Sequence, residues 1–167
     1  TLYKMHLAKL TATLRAFSEP QIKHLKTFIH SPYFKVPAAS AALFDYLYGL
    51  HPAFPEKKLQ PAVIALKVKN LPTASTQSWA ATELLHAIEQ FIGLEYYLQN
   101  PTTVLLHKMY GFKQMHLYSH LAAGHHTIAQ LQKQSPHTPN CFYHRHLLTE
   151  LNFNLTSLHS KPPASVN

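Results

Sequence analysis

Apolar residues in the first half of the chain recur at helical intervals. Leu7, Leu10, Leu14 and Phe17 follow at spacings of three, four and three, which puts them on one helix face. Ser18-Glu19-Pro20-Gln21 then reads as a stop and a restart. Ser18 can cap the next helix, Pro20 suits its first turn, and Gln21 stands where a capping box needs it. Ile22, Leu25 and Ile29 form the buried stripe of this second helix, with Phe28 at its edge and Lys23 and Lys26 on the wet side. Pro32 pushes Ser31 out of the α region, so the helix is expected to end near His30. Pro37 and the Ala-rich run to Ala42 open a third helix with Leu43, Phe44, Leu47 and Leu50 on its apolar face. The link between these helices carries Tyr33 and Phe34. Both rings are expected to fold inward and plug the junction, each burying ~150–250 Å².

Gly49 and Pro52-Ala53-Phe54-Pro55 break the chain again, and a short helix is expected over Gln60–Val68. After a turn at Leu71–Ser75, Ser75 or Thr76 caps the longest helix, over about 76–98. Its apolar positions (Trp79, Leu84, Leu85, Ile88, Phe91, Ile92, Tyr96, Leu98) make a wide stripe, as in a central helix touched on several sides. Asn100-Pro101 ends it. A further helix is expected over Thr103–Tyr110, a break at Gly111, a helix over Lys113–Gln134, a turn through Ser135–Pro139, and a last helix over about Asn140–Leu158. No sustained strand alternation is present. The pattern predicts an all-α chain of about seven helices in antiparallel hairpins. A repeat-like, tetratricopeptide-style array toward the C-terminus is one form this could take, since residues 105–131 follow that style without meeting its consensus. The expected organisation is an N-terminal helical domain over 1–100, a helical hairpin over 101–160 and a frayed tail over 161–167.

The links carry a resemblance. "HSPYFKVPAASAALFDYLYGLHPAF" and "STQSWAATELLHAIEQFIGLEYYLQNP" are similar to successive segments of an uncharacterised family of mostly helical proteins encoded in Bacteroidetes genomes. The match covers roughly residues 14–101. It implies helical hairpins that continue as a repeat-like array. It implies no activity, so it brings no catalytic residues. The present chain departs from that family in being rich in His and poor in acids, and many family members are longer.

Composition narrows the classes. The chain is 46% hydrophobic and 13% charged, which favours a packed core over disorder. No apolar run approaches the ~18–20 residues of a membrane span, so no membrane partner is expected. The single cysteine, Cys141, cannot form an internal disulfide. With no secretory leader pattern in view, a cytoplasmic location is the expectation. The net charge of +8 is uneven. Residues 1–69 carry ten Lys and Arg against Glu19, Asp45 and Glu56; residues 70–107 carry three Glu and no Lys or Arg. A basic first segment favours an acidic partner.

Fourteen histidines invite a metal. His116 and His120 lie four apart, a spacing that sets two ligands on one helix face. His125, His126, Cys141, His144 and His146 follow. No zinc-peptidase Glu follows His116 and no CxxC is present, so neither metal nor cofactor is expected. Cys141 near His144 has no obviously placed third group to orient it apart from Asn140 next door. A Ser–His–Asp set would need Asp45, the only aspartate, which sits inside a helix without a nucleophile elbow. The chain is therefore expected to be non-enzymatic.

The two helices flanking "KNLPTAST" mimic a helix-turn-helix, yet the second holds Gln77, Gln90 and three glutamates but no Lys or Arg. Phosphate contacts would have to come from residues such as Lys4, Lys9, Arg15, Lys67 and Lys69, or from a basic patch of Lys23, Lys26, Lys57 and Lys58. The leading expectation is a protein-interaction or scaffold module. The rival is a nucleic-acid-associated protein using residues 1–69. Oligomeric state leaves no mark on the pattern.

Overall fold

In the computed structural model the described residues are 2–117 with 119, 120, 123, 124, 127, 130, 142, 143, 146, 147, 149 and 150. They form six α-helices: α1 (Leu2–Arg15), α2 (Glu19–Ile29), α3 (Ala38–Tyr48), α4 (Pro61–Lys67), α5 (Ala74–Leu98) and α6 (Pro101–Gln114), with a 3-10 turn over Glu56–Lys58. No strand occurs among the described residues, in keeping with the all-α expectation. No helix among them is long and apolar enough to cross a membrane. The chain divides into two compact units, Thr1–Leu94 and Glu95–Asn167.

The first unit is built on the periodic stripes. Leu7, Leu10, Leu14, Ile22, Leu25, Ile29, Leu43, Phe44 and Leu47 are all in one buried core. At the start of α2 the Ser18 backbone N–H donates to Gln21 Oε1 at 2.9 Å, as the capping box requires. The link after α2 separates its two aromatics. Phe34 stacks on Phe28 with centroids 3.9 Å apart, and Phe28 meets Phe91, which meets Phe17. Tyr33 is 83% exposed, against the expectation for it. Adjacent residues of a tight turn point apart, and a turn this short can bury only one of them.

α5 buries Leu84, Leu85, Ile88 and Phe91 of its expected face, but the rest of that face departs from expectation. Trp79 is 51% exposed, and Ile92, Tyr96 and Leu98 are exposed with it. The buried face runs through Gln77, Ala80, Ala81, Leu84, Ala87, Ile88 and Phe91. Small alanines carry little hydrophobic signal but let neighbouring backbones approach. α1 lies along this helix: His6 Nδ1 is hydrogen-bonded to Ser78 Oγ at 2.9 Å and to Thr82 Oγ1 at 3.2 Å, and Lys9 pairs with Glu89. The cap of α5 is Thr73, two to three residues earlier than expected. Its Oγ1 accepts from Thr76 N–H, and Thr76 Oγ1 accepts from Thr73 N–H.

The second unit has a smaller described core, Leu106 and Met109, against which Leu105, Tyr110, Phe112 and Leu147 pack. Burial raises the Tyr110 phenol above its ordinary value, and the nearby Glu150 and Tyr143 push it the same way. α6 starts on Asn100, whose Oδ1 accepts from Thr103 N–H at 3.1 Å. The helix runs straight through Gly111, where a break was expected. One glycine costs a helix only about 1 kcal/mol. The stop comes later. His116 N–H bonds Lys113 O and Leu117 N–H bonds Phe112 O, a Schellman motif with His116 at the left-handed position (φ 58°). Glycine is usual there, which is why the sequence hid it.

Candidate functional site

Among the described residues, two surface clefts of the first unit are candidate sites. The first, about 410 Å³, lies between one face of α1 and the chain joining α3 to α4. From α1 come Leu7, Ala8, Thr11 and Arg15, a set just over two turns long at helical spacing. From the link come Phe54, Glu56, Leu59 and Gln60, with Pro61 opening α4.

Phe54 anchors the link wall. Its backbone has φ 42°, a sparsely populated region for a bulky residue that costs of order 1–3 kcal/mol. Its ring is 1% exposed, and burial of such a side chain contributes about 1.5–3 kcal/mol, enough to hold the turn. The Arg15 guanidinium lies over this ring, 5.6 Å from its centroid, and one of its terminal N–H groups donates to Ala53 O at 3.4 Å. Among the described residues no carboxylate stands within ion-pair distance of Arg15, although Glu56 lines the same cleft. Behind the cleft, buried Gln77 donates from Nε2 to Pro61 O (3.0 Å) and Leu71 O (2.9 Å), fixing the start of α4; its Oε1 has no partner. Tyr46 donates its hydroxyl to Lys58 O at 2.8 Å and so holds the 3-10 turn. Burial raises the Tyr46 phenol above its ordinary value.

The second cleft, about 400 Å³, lies between the end of α2 and the start of α3. Its floor on α3 is Ala38, Ala41 and Ala42, and its rim carries His30, Lys35 and Asp45. His30 Nε2 and Asp45 Oδ1 are 2.9 Å apart. This places the only aspartate beside a histidine, a pairing the sequence reading missed because the two are fifteen residues apart. No serine, threonine or cysteine among the described residues is hydrogen-bonded to His30. The neighbouring Ser31 hydroxyl instead accepts from Tyr33 N–H at 3.4 Å. The pair ties α2 to α3.

The four lysines of the expected basic patch fall into two places. Lys23 pairs with Glu19 one turn back, and Lys26 lies 4.6 Å from the Tyr48 ring centroid. Lys57 and Lys58 sit in the 3-10 turn held by Tyr46. Tyr46 and Tyr48, two apart on α3, project to nearly opposite sides of that helix. Gln77, once a candidate to face a base, is a buried structural residue. His116 stands in the cap beyond α6 and His120 lies with its ring 5.3 Å from that of Phe112, so their spacing of four does not set both on one helix face. Among the described residues no three His, Cys, Asp or Glu side chains are grouped to hold a metal ion. His125, His126, Cys141 and His144 lie outside the described residues, as do Tyr118 and Leu121 of the tetratricopeptide-style stretch. The chain matches no family model, no curated protein and no solved structure.

Proposed function

We propose that this chain is a non-enzymatic helical module that binds other proteins, acting in the cytoplasm, with the cleft between α1 and the α3–α4 link as its contact site. One observation carries the reading: in an open cleft the Arg15 guanidinium lies over the Phe54 ring, and among the described residues no carboxylate stands within ion-pair distance of it. Arginine is among the residues enriched at binding hot spots. Support also comes from the lysines. Lys9 and Lys23 are engaged with carboxylates and Lys26 with a ring, which leaves less free charge for phosphates than the sequence suggests.

The test has two arms. Selection of displayed random peptides on the immobilised chain is expected to enrich a common motif. A titration with single- and double-stranded DNA and RNA is expected to show no binding at low salt. Absence of any enriched peptide, together with nucleic-acid binding that weakens steeply with salt, would replace this reading with the nucleic-acid one.

A further inference from the structure

We infer that the α1 cleft takes an acidic peptide segment, in which a large apolar side chain lies next to a carboxylate; this rests on the interaction reading above and names its partner. The apolar side chain would lie along Ala8, Leu59 and Pro61, the apolar lining residues that remain accessible, and the carboxylate would meet Arg15. Three features select this occupant. First, Arg15 is held in place by the Phe54 ring and the Ala53 carbonyl, so little ordering entropy remains to be lost, and most of its N–H donors are unused. An arginine fork of this kind is matched by a carboxylate. Second, the walls at Ala8, Arg15, Gln60 and Pro61 are exposed, so the cleft is an open trough. Small-molecule sites enclose about 70–90% of their ligand. An open trough instead suits a stretch of chain whose other side stays in water. Gln60, at the rim, makes no side-chain hydrogen bond to the described chain and offers both a donor and an acceptor to a peptide amide. Third, charge complementarity favours acid. Residues 1–69 are strongly basic, and Lys57 and Lys58 flank the link wall. Glu56 on that wall limits the acid to the Arg15 side, which makes the recognition directional.

The probe is a fluorescein-labelled, end-blocked peptide with a Leu-Glu-Phe-Glu core between Gly-Ser flanks. Its controls carry Lys for Glu, or Ala for Leu and Phe. Fluorescence anisotropy on the full chain is expected to show saturable binding that is salt-sensitive for the acidic peptide and absent for both controls. Arg15→Gln, an exposed change at the end of α1, is expected to weaken binding about tenfold or more. Ala8→Trp fills the trough from an exposed position and is expected to abolish binding. Circular dichroism checks that both variants stay folded. Binding of the acidic peptide that ignores both variants would overturn the inference, as would equal binding of the Lys-bearing control. If the displayed-peptide selection yields binders that are neither acidic nor sensitive to Arg15→Gln, this inference fails while the interaction reading stands. If no peptide binds by either route, both fall.

Discussion

The α1 and α2–α3 clefts of the first unit have nearly the same volume, about 410 and about 400 Å³, and differ in how their charged groups are paired. The α2–α3 cleft is lined by Ile29, Val36 and three alanines, and its histidine and aspartate satisfy each other at 2.9 Å. Lys35 adds an exposed ammonium that no described contact fixes. The α1 cleft carries a cation over a ring with no carboxylate at ion-pair distance among the described residues, although Glu56 lines the same cleft. Volume alone does not separate a site from a crevice. What separates them is whether the polar groups are already paired inside the chain.

That contrast can be broken from the α1 side in graded steps. Phe54→Ala removes the anchor of the link wall and is expected to destabilise the fold by about 3–5 kcal/mol, read by urea denaturation, and to abolish peptide binding. Gln77→Leu leaves Pro61 O and Leu71 O buried without their donor. A loss of about 1–3 kcal/mol is expected, with weaker peptide binding because α4 no longer holds the rim in place. Tyr46→Phe costs about 1 kcal/mol for its bond to Lys58 O. It also has a pH signature. The folded-state value of Tyr46 is raised above 10.0, so its contribution is complete below that pH and is lost as pH rises through the higher folded value. Thermal melts across alkaline pH are expected to show a shallower loss of stability in the Phe variant. The smallest effect belongs to the other cleft. His30→Ala or Asp45→Asn breaks a half-exposed pair, so less than about 1 kcal/mol of stability and no peptide affinity should be lost. A large loss of peptide binding in either variant would reverse the ranking of the two clefts.

The same contrast shows what the sequence makes legible. Leu7, Leu10 and Leu14, and likewise Ile22, Leu25 and Ile29, announce their helices because burial recurs with the helical period. Ser31-Pro32 announces a stop because proline acts on its immediate neighbour. The α1 cleft has no such local mark. Arg15 and Phe54 are 39 positions apart in the numbering, and their meeting depends on a turn with φ 42° at a phenylalanine that no turn rule would place there. Gln77 reads as a polar helix residue, and its burial follows from two carbonyls that only the tertiary fold brings within reach. His116 conceals a helix stop because it occupies a conformation that glycine usually signals. Arg15 itself was visible only as one of ten basic residues in the first segment. Its packing on Phe54 is what singles it out.

The most direct measurement is a backbone amide NMR titration of the chain with the acidic Leu-Glu-Phe-Glu peptide. Shifts confined to Ala8, Thr11, Arg15 and the Phe54–Gln60 wall are expected, with Ala38, Ala41 and Asp45 unmoved. Shifts centred on the α2–α3 cleft, or none at saturating peptide, would contradict the assignment of the α1 cleft as the contact site.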